Sequence, residues 1–378
     1  MSLQTADSQG HSTSQPADEA ALLITCLRGL PFDVPHDTDW RELLCLAEEN
    51  GVLLLLHQEL LGKGVEMPAG FTAGAQERRN HSEKVAAELE RHLQQFAEHG
   101  IEVIPLKGPV LASALYGDAA LRSCNDLDLL VRPDEYDRAR TLLLDCGLIA
   151  RDADDYHCRY LGGVVPVELH FSIAKPMYFP FNLEGIWSRS RTGYFRGQPI
   201  RTMSDEDLIL YLCSHGLKHG FSRLVWILDV AMALRGLRDC SYEELTRTAR
   251  KQDQEPWLLI GCEVIRTMFP QHLPPAMAAV IAASPAAAKR ARNAAARLFA
   301  EDPKDVVNDY RGLYLQASPN LFKRLRYRLR YLAPTTEDCK WAESHSINRR
   351  FMIVLRPVRL LQKYGASIVW RVLFPPKT

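Results

Sequence analysis

A short stretch, residues 104–131, constrains the fold more than any other part of the chain. It reads IPLKGPVLASALYGDAALRSCNDLDLLV, an apolar run of strand type, a break at Lys107-Gly108-Pro109, a helical segment and a second apolar run. Gly108 permits a tight turn, and proline at the first helical position gives up an N–H that would have no partner there. The free N–H groups of such a helix N-terminus favour an anion. The stretch therefore predicts a strand, a turn and a helix, followed by a second strand.

The second strand opens with two carboxylates, Asp126 and Asp128. Side chains alternate along a strand, so the two lie on one face, where they repel each other unless a cation lies between them. Oxygen ligands of this kind suit Mg²⁺ that carries nucleotide phosphates. The alternative is a turn aspartate followed by a surface aspartate, since the pair is common. The apolar strand and the upstream glycine turn favour the metal site.

A third carboxylate is expected on a neighbouring strand. The run VVPVELHF at 164–171 supplies Glu168, with His170 on the same face. A lone glutamate among apolar residues is costly to bury unless it is paired or binds a metal. The alternative is an edge strand on which Glu168 faces solvent.

The rest of the chain predicts an α+β fold, with a small mixed β-sheet flanked by helical units at both ends. We expect a disordered tail at 1–18, an N-terminal helical unit at 19–99, a catalytic core at 100–200 and a C-terminal helical region at 201–378. Residues 73–99 carry apolar side chains at three-to-four spacing, which is typical of a long amphipathic helix. Residues 174–199, rich in proline and aromatic side chains, are predicted to form an irregular connector.

Composition narrows the class of protein. Lysine plus arginine equals aspartate plus glutamate, 46 each, so no overall basic charge favours nucleic acid. The nine cysteines form no CxxC pair, which indicates reduced thiols and a cytoplasmic protein. No apolar run reaches the length of a membrane span.

Two features of the C-terminal region admit alternatives. His215 and His219 lie at i, i+4 and share a helix face, a spacing that can bind zinc, but no third ligand follows at a convincing distance. We therefore expect them to line a cleft. The basic segments 322–331 and 349–363 suit an anionic surface such as nucleic acid or a membrane, but an amphipathic helix with a solvated arginine face is favoured. Asp229 is expected to make a polar contact between helices.

Several separated motifs occur in order: LKG at 106–108, Arg122, NDLDLLV at 125–131, VELH at 167–170, then His215, His219 and a WxxD-like sequence at 226–229. Together they resemble an uncharacterised bacterial nucleotidyltransferase family of the DNA polymerase beta-like superfamily. The resemblance covers about 43–229 well. The chain departs from it at Pro109, where many members of the superfamily have a serine or a second glycine, so a serine hydroxyl that would contact phosphate is missing.

The resemblance implies transfer of a nucleoside monophosphate from an NTP such as ATP to an acceptor, with two Mg²⁺ ions. The residues it implies fall into three groups: metal ligands and catalytic acids Asp126, Asp128 and Glu168; phosphate-binding Lys107, Gly108 and Arg122; and supporting or cleft residues His170, His215 and His219. A small-molecule acceptor is favoured. The alternatives are a toxin-like modification of tRNA or protein, and a non-catalytic module that binds a nucleotide or a partner.

Overall fold

The computed structural model describes residues 17–154, 156–174, 181–237, 241–300, 336–348 and 354–362, together with 334 and 351–352. The predicted tail lies outside these residues except for its last two, which belong to the first helix. The first basic segment, 322–331, lies outside them entirely.

Four helices precede the sheet: α1 (Ala17–Leu27), α2 (Trp40–Glu49), α3 (Leu53–Gly62) and α4 (Ala69–Glu98). The Asp39 side chain caps α2 by accepting from two backbone N–H groups of its first turn. Helix α4 buries Val85, Leu89 and Phe96 on one stripe, as the apolar spacing predicts. The helical character predicted for 19–99 is thus present in this region.

The five-stranded sheet consists of β1 (Val103–Pro105), β2 (Leu127–Val131), β3 (Ile149–Ala153), β4 (His157–Leu161) and β5 (Val167–His170). The spatial order is β1-β2-β5-β4-β3, in which only β2 and β5 are parallel. Helix α5 (Pro109–Tyr116) connects β1 to β2, and α6 (Tyr136–Asp145) lies between β2 and β3. This mixed sheet between helical regions confirms the predicted α+β fold.

The connector predicted to be irregular at 174–199 contains regular structure, so that prediction was wrong for its described part. Helix α7 (Leu183–Arg189) is capped by Asn182, and a hairpin of β6 (Arg191–Phe195) and β7 (Gln198–Thr202) follows. Arg196 and Gly197 form the turn with φ of 48° and 83°. Two consecutive residues with positive φ are the signature of a tight hairpin turn, which the prolines and aromatic residues obscured.

Helices return after the hairpin: α8 (Asp205–Lys218), α9 (Leu224–Arg235), α10 (Tyr242–Lys251), α11 (Glu255–Met268), α12 (Pro275–Ala282), α13 (Pro285–Ala300) and α14 (Thr336–Ser344). Residues 354–362 are also helical. Within them, Arg356 and Arg359 of the second basic segment form ion pairs with Asp338 of α14. These two arginines therefore contact the protein itself.

Two hydrophobic clusters meet at the sheet. One joins the N-terminal helices to α8, α9 and α11 and includes Ile104 and Leu130, whereas the other contains Leu129 and Val131. Because alternate side chains of β2 face opposite sides, Asp128 shares the face of Leu130, towards the helical cluster. The strand thereby presents a carboxylate to α8.

Candidate active site

A cavity of about 190 Å³ lies between one face of the sheet and helix α8. Its sheet side is lined by Asp126, Asp128, Tyr156, His157, Glu168 and His170, and its other side by Lys107, Ile173, Ala174, Tyr211, Ser214, His215, Lys218 and His219. Eight of the nine predicted site residues line this cavity or adjoin it. The exception is Arg122.

Strand pairing brings two of the predicted carboxylates together. Asp128 and Glu168 are register partners on the parallel strands β2 and β5, so their side chains lie next to each other on one face. His170, two residues further on, reaches both: its Nε2 lies 3.0 Å from Asp128 Oδ1 and 3.6 Å from Glu168 Oε2. One ligand atom from each of the three lies within 4.8 Å of the others. Asp126 precedes β2 and lines the cavity without belonging to this group.

Lys107 is held by the turn that the sequence predicts. The backbone N–H of Leu106 donates to the carbonyl of Asp128, which places the next residue beside that carboxylate. Lys107 Nζ lies 2.9 Å from Asp128 Oδ2, at an angle unfavourable for a hydrogen bond, and donates to His215 Nε2 at 3.2 Å. Gly108 then starts α5 with a φ of 74°, a conformation that favours glycine.

The charged groups on the sheet side of the cavity shift one another's pKa values. Burial alone would raise the pKa of Asp128, but Lys107 and the hydrogen bond from His170 hold that pKa well below its ordinary value. Burial, followed by the charge of Asp128, raises the pKa of Asp126 to about 6. Burial also acts to raise the pKa of Glu168, yet His170 outweighs it and the pKa is lowered.

His170 has a hydrogen-bond acceptor beside each of its ring nitrogens. Its Nε2 lies 3.0 Å from Asp128 Oδ1, and its Nδ1 lies 3.3 Å from the carbonyl oxygen of Ser172. Burial opposes the charge, but the hydrogen bonds to Asp128 and Glu168 raise the pKa of His170 above its ordinary value. Lys107 and, when protonated, His170 therefore place positive charge on both sides of the Asp128 carboxylate.

The histidines of α8 have the opposite character. Burial, with Lys107 next, lowers the pKa of His215 well below its ordinary value, and burial lowers the pKa of His219 to about 4. The two rings lie 4.8 Å apart, and each contacts the ring of Trp226. They line the cavity as neutral side chains and belong to no group of potential metal ligands found among the described residues.

Arg122 was predicted to bind phosphate, but the structure places it in the core. Its Nε donates to Asp229 Oδ2 at 2.8 Å, and Tyr116 donates to the other oxygen of the same carboxylate at 2.9 Å. Among the described residues that line the cavity, Arg122 does not appear. Asp229 of α9 makes the contact between helices that was expected of it, through Tyr116 of α5, and it also pairs with Arg122 on the segment before β2.

Sequence reasoning missed several residues of the cavity. His157 lies opposite His170 on the antiparallel strand β4, with its Nε2 3.5 Å from Glu168 Oε2, and only the strand register reveals that approach. Tyr211 and Lys218 lie one turn from His215 on the same helix face, so helical periodicity was an available indication for them. The Lys218 ammonium also donates to the Tyr156 hydroxyl at 3.3 Å.

The residues present suit a hard divalent cation. Asp128 offers a buried carboxylate and Glu168 a half-buried one beside it, and the Asp126 carboxyl, whose pKa is raised by burial and by the charge of Asp128, lines the same cavity. Carboxylate oxygens are the ligands Mg²⁺ prefers, whereas imidazole suits other metals. His170 therefore fits better as a hydrogen-bond donor to the carboxylates than as a ligand.

Comparison with known proteins shows which family the chain resembles. A family model described as an uncharacterised nucleotidyltransferase matches residues 36–270, more than half of the chain. No curated protein matches the chain. Among the solved structures similar to this chain are two that each have 16% identity, a TM-score of 0.34 and coverage of 44% of this chain. One is the solution structure of the antibiotic-resistance factor ANT(2'')-Ia, and the match covers 92% of that chain. The other is a crystal structure of ANT(2'')-Ia in complex with adenylyl-2''-tobramycin, and the match covers 96% of that chain.

Proposed function

The chain belongs to a family of uncharacterised nucleotidyltransferases, and from that premise we propose that it transfers a nucleoside monophosphate from an NTP to an acceptor hydroxyl and releases pyrophosphate. The observation that carries the proposal is the pair Asp128 and Glu168, side by side on parallel strands within a partly open cavity. Buried carboxylates in contact are costly unless cations compensate them. A pair of this kind is what metal-assisted phosphoryl transfer requires.

We assign the metal site to Asp126, Asp128 and Glu168, with Mg²⁺ as the cation and two ions as the expected number. When bound, the ions would neutralise the triphosphate and lower the pKa of the acceptor hydroxyl. Glu168 completes the site or accepts the proton of that hydroxyl. His170 orients the Asp128 carboxylate through its hydrogen bond.

The cationic and backbone groups beside the carboxylates would bind phosphate. Lys107, in the cavity, offsets the negative charge that develops during transfer. Gly108 and the N-terminus of α5 offer backbone N–H groups. Arg122 could contact phosphate only by leaving Asp229, so we assign it to holding the segment before β2 in place.

A small-molecule acceptor with ATP as donor is the version we favour. The cavity of about 190 Å³ suits a small projecting group such as a hydroxyl, and the zero net charge supplies no general attraction for nucleic acid. None of the described helices is long and apolar enough to cross a membrane, and the eight described cysteines are free thiols. We expect the reaction to take place in the cytoplasm.

The experiment supplies the four NTPs, each labelled at the α-phosphate, with Mg²⁺ and separated fractions of cell extract. We expect one label to enter the small-molecule fraction with release of pyrophosphate, and Asp128→Asn and Glu168→Gln to abolish transfer. Asp134→Asn, an exposed aspartate outside the cavity, is the matched control.

Label in the RNA or protein fraction would support the toxin-like alternative. Binding of an NTP with no transfer to any fraction would support a non-catalytic module, and transfer that survives Asp128→Asn would overturn the mechanism.

A further inference from the structure

Lys107 has two partners of different kinds. Its Nζ lies 2.9 Å from Asp128 Oδ2 and 3.2 Å from His215 Nε2, and its side chain is only 13% exposed. An ammonium has donors and no acceptor, so His215 must accept through the lone pair of Nε2 and carry its proton on Nδ1. The lysine therefore bridges the carboxylate on β2 and a neutral imidazole on α8.

The two partners respond differently when a metal ion binds. Asp128 is the buried carboxylate on which the proposed metal site depends, and a metal ion and an ammonium are like charges that compete for it. Lys107 then loses or weakens its contact with Oδ2. A buried ammonium without an acceptor is costly, and His215 is the partner that does not ligate the metal.

His215 is itself held in place. Its ring contacts Trp226 edge-on at a centroid distance of 5.5 Å and lies 6.0 Å from the ring of Tyr211. These contacts restrict rotation of the imidazole, so Nε2 continues to face Lys107.

We propose that His215 is a positioning residue that retains Lys107 inside the cavity when Asp128 ligates a metal ion. In the metal-free protein Lys107 compensates Asp128. In the loaded protein, it stays hydrogen-bonded to His215, beside the reacting phosphates. The inference rests on the metal site of the proposed function.

The proposal predicts a thermodynamic coupling between His215 and Lys107 that is measured without activity. Mn²⁺ binding is followed by electron paramagnetic resonance in the absence of nucleotide, for wild type, Lys107→Met, His215→Leu and the double variant. Lys107→Met should bind Mn²⁺ more tightly, because a competing cation is removed. His215→Leu should bind it about tenfold more weakly, the scale of a hydrogen bond to a charged group. In the Lys107→Met background, His215→Leu should have no further effect.

Three variants complete the design. His215→Gln keeps an acceptor oxygen and should restore most of the affinity. His57→Leu, a histidine on α3 outside this cavity, should leave it unchanged. Tyr211→Phe should also leave the Mn²⁺ affinity unchanged. If Tyr211→Phe instead weakened Mn²⁺ binding, and that loss disappeared in the Lys107→Met background, the retaining role would belong to Tyr211 and the proposal would be overturned.

The outcomes distinguish the role of His215 from the existence of the metal site. An equal loss of affinity from His215→Leu in both backgrounds, or no loss in either, would overturn the role of His215 and leave the metal site standing. Absence of Mn²⁺ binding to the wild-type protein would overturn both. Thermal unfolding of each variant confirms that the protein compared is folded.

Discussion

Two buried ion pairs flank the start of strand β2, and they differ in what surrounds them. Lys107 lies 2.9 Å from Asp128 Oδ2, and Arg122 donates to Asp229 at 2.8 Å. The first pair lines the cavity, whereas the second lies in the core, where Tyr116 donates to the remaining oxygen of the carboxylate.

The difference separates a pair that can exchange its partners from one that cannot. Every member of the Arg122–Asp229–Tyr116 network has its partner within the protein, so loss of Arg122 or Asp229 leaves the other buried charge uncompensated. The Lys107–Asp128 pair has a second partner on each side, His215 for the lysine and His170 for the aspartate. A cation from solution can therefore replace Lys107 at Asp128 without leaving either group alone.

The largest effect on activity is expected at the Lys107–Asp128 pair, which can exchange its partners. Asp128→Asn should reduce nucleotidyl transfer by about 10⁴-fold, the scale seen when one member of a catalytic unit is removed, because the amide cannot balance a metal ion. Steady-state release of pyrophosphate measures the loss. Activity within tenfold of the wild type would refute the role of Asp128, provided that Asp134→Asn is fully active.

At the Arg122–Asp229 pair, the effect of a substitution should appear in the stability of the protein. Arg122→Met leaves Asp229 buried without its cation and should lower the free energy of unfolding by about 3–5 kcal/mol. Urea unfolding measures the change. The double variant Arg122→Met with Asp229→Leu should recover much of it, since an apolar pair can replace a buried ion pair. Mn²⁺ affinity of the folded Arg122→Met protein should fall far less than that of Asp128→Asn, since Arg122 acts on the site only through the segment that carries Asp126, and an equal loss would show that the two pairs are not distinct.

Lys107→Met should cost less stability than Arg122→Met, on the order of 1–2 kcal/mol, the scale of one lost partner of a charged group. His170 remains beside Asp128, and the cavity admits water. Saturating Mn²⁺ should compensate the loss, because a ligand that binds only the folded state stabilises it. A decrease as large as that of Arg122→Met, unaffected by Mn²⁺, would indicate that Lys107 is as structural as Arg122.

The smallest effect is a pH dependence. Burial and Asp128 raise the pKa of Asp126 to about 6, so a proton competes with a metal ion there. Mn²⁺ affinity should fall as the pH drops below about 6, by at most about tenfold per pH unit for a single proton. In the metal-free protein, the same raised pKa contributes stability at low pH that is lost as the pH rises through about 6. Asp126→Asn should flatten the low-pH part of the affinity profile, and an unchanged profile would exclude Asp126 as the titrating group.

The two pairs also show where sequence reasoning reaches its limit. Lys107, Asp128 and Glu168 were recognisable because turn chemistry and strand alternation are local, and these rules predicted the strand–turn–helix unit and the mixed sheet. Arg122 was given the same role as Lys107 because the family resemblance implied that role for both. Its partner Asp229 lies 107 residues away, and tertiary packing alone determines which cation meets it.

The same limit explains the other differences. His157 approaches Glu168 only because β4 pairs antiparallel with β5, a register the sequence does not specify by itself. The hairpin of β6 and β7 depends on positive φ at Arg196 and Gly197, and arginine is not a residue that indicates this conformation. The roles predicted for the site residues remain predictions.

The central claim is that the adjacent carboxylates of β2 and β5 form a metal site for nucleotidyl transfer. Anomalous diffraction from crystals grown with Mn²⁺ and a non-hydrolysable NTP tests it most directly. The account predicts anomalous density within bonding distance of Asp128 and Glu168, with the triphosphate bound to the same metal and Lys107 still contacting His215. Density located elsewhere, or a triphosphate bound with Lys107 and His170 unmoved on Asp128 and no metal ion between them, would contradict it.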